Sequence, residues 1–358
     1  MKELHERYRQ LVVRPAVFVL FFAALGSAHT NAANEPPPLT ETAWKEAVVS
    51  VTDLDRTAEF FIELGGYKPQ WRGVMSRTEL AAWGLSTEAS GEALLLSQPG
   101  VDGPFIRLVR FDDAGDKVPT RPGARAWDTG CYFSLMVRAK GLESLYDDAI
   151  ALGWWTETPI SYLKFGDSEL NVVVFRGPDG VQVQAYERLS LPIPAEFPAF
   201  ERLSVPFNIM QMVRDRDAAY ALFNDILGFS TFYLGKPFVA SEPTPMPLGI
   251  PINLTTSARY QAGIVYPQPG EIGRMEMIEM MDLDGHDYAD RCRAPNLGIL
   301  AVRFPVEDAE QTAQAIVERG GSVSINPAAV RIEPYGDVVL TGLQTPDGAN
   351  IQFFEKRP

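Results

Sequence analysis

The chain has 358 residues, enough for two domains or a domain pair with sizeable cores. Its 46% hydrophobic and 22% charged content are ordinary for a globular protein. A formal net charge of −14 excludes a broad surface for nucleic acid or anionic membrane, because both need clustered Lys and Arg.

The first segment differs from the rest. Lys2, Arg7, Arg9 and Arg14 precede the apolar run AVFVLFFAALG, Ala16 to Gly26. That run is too short to span a bilayer and has the length of a secretory hydrophobic region. Small residues follow, so cleavage is expected after Ala28 or Ala32. Residues 1–32 therefore read as a signal peptide and 33–44 as a linker. No Cys stands near the cleavage region, so no lipid anchor is expected. The processed protein is expected to be exported, periplasmic or secreted, and free of the membrane. Export permits disulfides, but the two cysteines, Cys131 and Cys292, lie in different halves of the chain. Two unpaired, partly buried thiols are expected, with a bridge as the alternative.

From Lys45 to Val51, KEAVVSV alternates, placing Ala47, Val49 and Val51 on one face of a half-buried strand. Asp53 can cap a following helix whose Leu54, Ala58 and Phe61 form one stripe, and Gly66 can end it. This segment, VTDLDRTAEFFIELGGY (Val51 to Tyr67), recurs without a gap as VRDRDAAYALFNDILGF (Val213 to Phe229). AIALGW from Ala149 recurs as AIVERGG from Ala315, and GPDGVQVQAYER from Gly177 recurs as TPDGANIQFFEK from Thr345. Three landmarks at a nearly constant spacing indicate an internal duplication. In the strand after each Pro-Asp-Gly turn, Val181, Val183 and Ala185 share one face while Gln182, Gln184 and Tyr186 share the other.

The same strand–helix–strands order repeats within each half, near 45–111, 129–188, 207–281 and 296–356. The chain thus reads as an α+β protein of four βαβββ units. They are expected to form two curled-sheet, open-barrel domains over 45–190 and 203–358, joined by the Pro-rich linker 191–202.

The strand-then-V-x-D helix entries and the P-D-G-x-x-[IV]-x endings resemble the vicinal oxygen chelate superfamily, which includes glyoxalase I, bleomycin-resistance proteins and extradiol dioxygenases. The resemblance covers nearly all of the chain after residue 44. It implies that paired units curl their sheets into a cup that holds a ligand. Metal-using members take ligands from the first and last strands of a unit, typically His and Glu. Position by position, this implies Glu46, Arg107, Tyr132 and Gln184 in an N-terminal cup. It implies Asn208, Glu276, Ala301 and Gln352 in a C-terminal one, with Arg303 also pointing inward. Both terminal glutamates of the family pattern are thus glutamines here.

Histidine supply argues the same way. Of the three histidines, His5 and His29 lie in or beside the export signal, leaving His286 in the loop DLDGHDYADR. A two-His, one-carboxylate site needs two imidazoles on facing strands. An extradiol dioxygenase, or a glyoxalase with His-ligated zinc or nickel, is therefore not expected. No cofactor is expected, and the donors leave room only for a weakly held divalent cation. DLDGHD suggests a calcium loop, but its Gly falls at the fourth place and no Glu stands at the twelfth, so a solvated acidic turn is expected.

Glu46, Arg107, Tyr132, Glu276 and Arg303 are the candidate catalytic residues, with Gln184, Asn208 and Gln352 as candidate ligand-binding residues. Arg would clamp a carbonyl or anionic oxygen while Glu acts as base; the competing reading is an internal Glu–Arg pair that satisfies buried charge. Two inserted stretches, Trp71 to Ser86 and Gly235 to Asn253, are candidate lids, the first with a possible Ser76/Glu79 capping box. Their Trp71, Trp83, Phe238 and Met246 would suit a small, oxygen-bearing, partly aromatic ligand. Two functions remain: a binding protein like the bleomycin-resistance branch, or a glyoxalase-like lyase or isomerase using Glu and Arg. If the leader is an export signal, intact-mass analysis of exported protein should show a chain beginning after Ala28 or Ala32. An uncleaved Met1 terminus would overturn that reading.

Overall fold

The structure, a computed structural model, describes residues 36–357 apart from Ala124 and Gly166. The expected signal peptide lies outside the described residues. Four βαβββ units follow one another. The first comprises β1 (Glu46–Ser50), α1 (Leu54–Gly65), β2 (Lys68–Val74), β3 (Ser90–Ser97) and β4 (Phe105–Asp112), with a short α2 (Arg77–Ala82) between β2 and β3. The second is β5 (Tyr132–Ala139), α3 (Leu142–Ala151), β6 (Ser161–Phe165), β7 (Ser168–Arg176) and β8 (Gln182–Arg188). The third is β9 (Leu203–Met212), α4 (Arg216–Ala221), β10 (Ser230–Leu234), β11 (Tyr260–Tyr266) and β12 (Arg274–Met280). The fourth is β13 (Gly298–Pro305), α5 (Ala309–Glu318), β14 (Val323–Ile332), β15 (Gly336–Gln344) and β16 (Asn350–Lys356).

The repeated motifs perform the same local task in each copy. The Asp53 carboxylate accepts from the amides of Asp55 and Arg56, and that of Asp215 accepts from Ala218. Each satisfies N–H groups that the first turn of a helix leaves unpaired. Gly66 and Gly228 follow in the left-handed region, at φ +67° and +72°, where a side chain would be strained. Beyond Ala221 the second copy passes into a π-helical turn, Leu222–Ile226, instead of the uninterrupted helix of the first.

Two eight-stranded sheets result, ordered β14-β15-β16-β13-β1-β4-β3-β2 and β10-β11-β12-β9-β5-β8-β7-β6. Each is the other's counterpart under the duplication. The pairing of units departs from the sequence expectation that each half closes its own cup. The first unit joins the fourth through antiparallel β1 and β13, with Glu46 opposite Arg303. The second joins the third through antiparallel β5 and β9. The division into 45–190 and 203–358 therefore follows the duplication but not the sheets. Alternation assigns faces to a strand; it carries no information about which of several similar apolar strands will lie beside it.

One core cluster spans both sheets. It takes Ala47 and Val49 from β1, Leu135 and Val137 from β5, Ile209 from β9 and Val302 from β13, together with the inner stripes of α1 and α3. Phe60 of α1 stacks on Trp154 with centroids 3.9 Å apart, closing the seam between the first two units. Smaller apolar clusters line the concave sides of the two sheets.

The cysteines are also placed differently from expectation. Cys131 and Cys292 form a disulfide across a sequence separation of 161 residues. The duplicated fold brings the entry to β5 beside the loop before β13, a proximity that no local spacing announces. Around the bridge, Cys131 N–H donates to the Asp347 carbonyl and Thr129 N–H to that of His286. Closing so long a loop restricts the unfolded chain, so reduction or the double Cys131→Ala/Cys292→Ala replacement should cost about 2–4 kcal/mol. Denaturant unfolding of oxidised and reduced protein checks this; equal stabilities would refute it.

Candidate functional site

The two cups share a scaffold but not a chemistry. In the cup of the first and fourth units, alternation points Glu46 and Val48 of β1, Arg107 and Val109 of β4, and Gln352 of β16 to the concave side. Arg303 enters from β13. Glu46 Oε1 accepts from Arg107 Nε at 2.8 Å and from an Arg303 terminal nitrogen at 2.9 Å. Its other oxygen accepts from the Tyr335 hydroxyl at 2.7 Å. Arg303 Nε donates to Gln352 Oε1 at 2.8 Å, and the Glu79 carboxylate of α2 stands 3.1 Å from Arg303. Glu46 and Arg107 are both 0% exposed. Burial alone would raise the Glu46 carboxyl, but Arg107 and Arg303 overcome it and hold the group below its ordinary value. Trp71 and Trp83 close over the two guanidinium groups. Two carboxylates and two guanidinium groups thus form an internal ion network in this cup, with both terminal nitrogens of Arg107 buried without a hydrogen-bond partner among the described residues.

The cup of the second and third units keeps open space. A cavity of about 100 Å³ is lined by Tyr186, Met210, Tyr233, Tyr260, Ile278 and Glu276, among others. The stretch after β10 covers it with Phe238, Met246 and Leu248, and Lys236 stands at its rim. Glu276 projects from β12 on the same side as Ile278, while Met275 and Met277 face the core. Asn208 of β9, on the neighbouring parallel strand, donates to Glu276 Oε2 at 3.0 Å. Burial pushes the Glu276 carboxyl up to about 7, against the opposing effects of the Asn208 hydrogen bond and the Arg274 charge. Beneath it, the Tyr186 hydroxyl donates to Gln184 Oε1 at 2.8 Å, and Gln184 Nε2 donates to Ser134 Oγ at 2.6 Å. A carboxyl that titrates near neutrality, in an aromatic cavity, can both donate and accept a proton.

The sequence-predicted residues therefore sort differently from expectation. Glu46, Arg107, Arg303 and Gln352 come together in one cup, with Ala301 in its apolar lining. Gln184, Asn208 and Glu276 occupy the other. Tyr132 belongs to neither: it lies in the shared core and its hydroxyl donates to the Asn350 carbonyl. An irregularity in the β5–β9 pairing between Tyr132 and Ser134 breaks the alternation and turns Tyr132 to the opposite face. Ser76 does accept from the Glu79 amide, but the Glu79 side chain goes to Arg303 rather than back to the cap. Tyr335, Tyr260 and Tyr233 were not singled out by the sequence. Only the alternation of YQAGIVY in β11 could have marked Tyr260.

Neither cup offers a donor set suited to a transition metal. Glu46 already accepts from two guanidinium groups, Gln184 is committed to Ser134 and Tyr186, and the second cup presents Glu276 with carboxamides and phenols rather than imidazoles. Among the described residues, no group of three or more His, Cys, Asp or Glu side chains is placed to hold a metal. In the acidic turn, Asp282 pairs with Arg259, whose hydrogen bonds lower its carboxyl to about 2. The His286 amide donates to Asp128.

Among solved structures, the chain is similar to glyoxalase I from Zea mays, at 13% identity over 88% of this chain and 92% of that one, with a TM-score of 0.58. It is also similar to a candidate dioxygenase from Bacillus subtilis, at 11% identity over 90% of this chain and 86% of that one, with a TM-score of 0.56. The chain therefore has the vicinal oxygen chelate fold in its two-sheet, duplicated form. No family model and no curated protein matches the sequence. Fold likeness at this distance leaves chemistry to the sites themselves.

The raised Glu276 carboxyl has a measurable consequence. Its folded pKa lies above the ordinary 4.5, so the native state holds the extra proton between the two values. The stability this contributes is complete below the unfolded value and is lost as pH rises to about 7. Between pH 5 and pH 8, wild type should therefore lose about 2–3 kcal/mol relative to Glu276→Gln. Urea unfolding of both proteins at the two pH values checks this; a pH-independent difference would show Glu276 to be solvated.

Proposed function

We propose that this protein binds a small, oxygen-bearing, partly aromatic molecule in the cup of its second and third units, with Glu276 as the group that engages the ligand oxygen. The observation that carries this reading is a near-neutral carboxyl at the end of an aromatic cavity, with one oxygen held by Asn208. The other cup is a structural copy whose buried ion network holds the sheet together. No His-ligated metal takes part in this reading, because the donors of neither cup suit one. The protein works outside the cytoplasm; the leader and the Cys131–Cys292 bridge both support export.

A second reading, a lyase or isomerase, is favoured by the same carboxyl. A base is most effective when its pKa lies near the working pH, so Glu276 could move a proton between ligand atoms while Lys236 or Tyr260 stabilises a developing oxyanion. Both readings put the ligand in one place.

The test uses neutral phenols, phenol and 4-hydroxybenzamide, as probes in calorimetry. A phenolic O–H donates to the carboxylate, so affinity should rise several-fold as pH increases through about 7. Glu276→Gln should weaken binding and flatten that dependence. Glu46→Gln should instead cost about 3–5 kcal/mol of stability, by breaking a buried ion network, and leave phenol affinity unchanged. Phenol binding that is indifferent to Glu276 but lost with Glu46→Gln would overturn the assignment.

A further inference from the structure

The same cup holds a second cavity of about 350 Å³, which meets the first at Leu163, Tyr186 and Glu276. Its chemistry is different. Three arginines, Arg138, Arg188 and Arg274, line it. Arg138, 4% exposed, donates to Glu271 Oε2 at 3.0 and 2.6 Å and lies 4.0 Å from the Phe207 ring centroid. Arg188 reaches the other Glu271 oxygen at 2.9 Å and also donates to the Pro192 carbonyl, yet its Nε is buried without a partner. Arg274 forms no ion pair among the described residues; its Nε donates to the Gly270 carbonyl and its guanidinium lies 3.6 Å from the Phe232 ring centroid.

The wall also carries three carboxylates, of which only Glu271 forms an ion pair among the described residues. Glu271 is shared by Arg138 and Arg188, Glu276 stands at the inner junction, and Glu196 is exposed to solvent. Burial, and then the charges of Arg138 and Arg188, lower Arg274 to about 10 despite the opposing pull of Glu271, so it remains a cation at neutral pH. Two of the three guanidinium groups share Glu271, which leaves one positive charge on this wall without an ion-pair partner among the described residues. An internal ion pair would need only one arginine for Glu271. The uncommitted edge of Arg274 and the unpartnered Nε of Arg188 exceed what the fold requires.

We propose that Arg274 and Arg188 seat an anionic group, such as a carboxylate, of the molecule whose uncharged oxygen-bearing part lies against Glu276. The proposal rests on the Glu276 cup being the binding site, and it extends the ligand class to an aromatic or apolar body with an acidic end. The planar guanidinium edges match a carboxylate in two-pronged fashion; the Phe232 ring holds Arg274 in place and Glu271 anchors Arg188.

The experiment compares 4-hydroxybenzoate with 4-hydroxybenzamide, which differ by one negative charge, in calorimetry at pH 8. The acid should bind at least tenfold more tightly at low ionic strength, and its advantage should shrink as salt is raised. Sulfate should compete with the acid more strongly than with the amide. In Arg274→Gln the affinity ratio should fall to near one, while Arg274→Lys should keep part of it; Arg188→Gln is the second variant should the first fail to fold. If wild type binds both compounds alike, or Arg274→Gln leaves the ratio unchanged, the anion seat is refuted while the Glu276 cup stands. If neither compound binds at millimolar concentration, the cup reading falls and the seat with it.

Discussion

Two antiparallel pairings, β1 against β13 and β5 against β9, set the terms for everything else in this molecule. Each joins a unit of one half to a unit of the other, so neither half encloses a cup alone. Because the side-chain period of a strand is two, these registers also decide which residues meet: Glu46 faces Arg303 only because β1 lies beside β13. The disulfide, the Asp347 contacts with Arg214 and the Tyr132–Asn350 hydrogen bond all tie the two sheets in the same region. The duplication therefore yields an interlocked pair rather than two beads on a chain.

The two cups show how one scaffold supports opposite electrostatic solutions. In the first, each buried carboxylate has a guanidinium partner, and Trp71 of β2 and Trp83 after α2 cover the arginines. Such a network is expensive to break but need not exceed an apolar core of equal volume in stability. In the second, the position equivalent to Arg107 of β4 is Glu276 of β12, since Arg107 lies opposite Val48 and Glu276 opposite the corresponding Met210, and among the described residues no cation forms an ion pair with it. A carboxyl left in that state answers burial by raising its pKa rather than by forming an ion pair. The two interiors differ in where the arginine stands: in direct contact with Glu46 in the first, and two residues along the strand from Glu276, at Arg274, in the second.

The sequence disclosed the fold in considerable detail because its signals were local and repeated. Asp53 and Asp215 cap as read, Gly66 and Gly228 take the left-handed conformation, and Gln184 and Gln352 follow their turns into equivalent strands. Faces were legible as well: Arg107, Gln184, Glu276 and Gln352 all point to concave sides. What alternation could not supply was long-range. It missed the exchange of units between sheets, the bulge that reverses Tyr132 and the closeness of Cys131 to Cys292, each set by tertiary pairing rather than by neighbours in the chain. The candidate site was half legible for the same reason: alternation singled out Glu276 and Asn208, which the fold brings together, but Tyr260, Lys236 and the Arg138–Arg188–Arg274 wall needed the fold to assemble them.

The duplication bears on why an unpaired Glu276 is tolerable. A buried carboxyl without a cation, under a cover built from the stretch Gly235 to Asn253, costs stability wherever it stands. Here the cost falls in a sheet whose central strands, β5 and β9, join the one core shared with the sheet of the ion network, and whose entry is fixed by the disulfide. The first sheet and the shared core can therefore hold the frame while the second keeps a cavity open. Proline limits the freedom of that cover, with Pro245 and Pro247 flanking Met246 at the cavity itself. The carboxyl least favourable to folding thus sits in a sheet anchored by the shared core and the disulfide, beneath a cover whose backbone proline restricts.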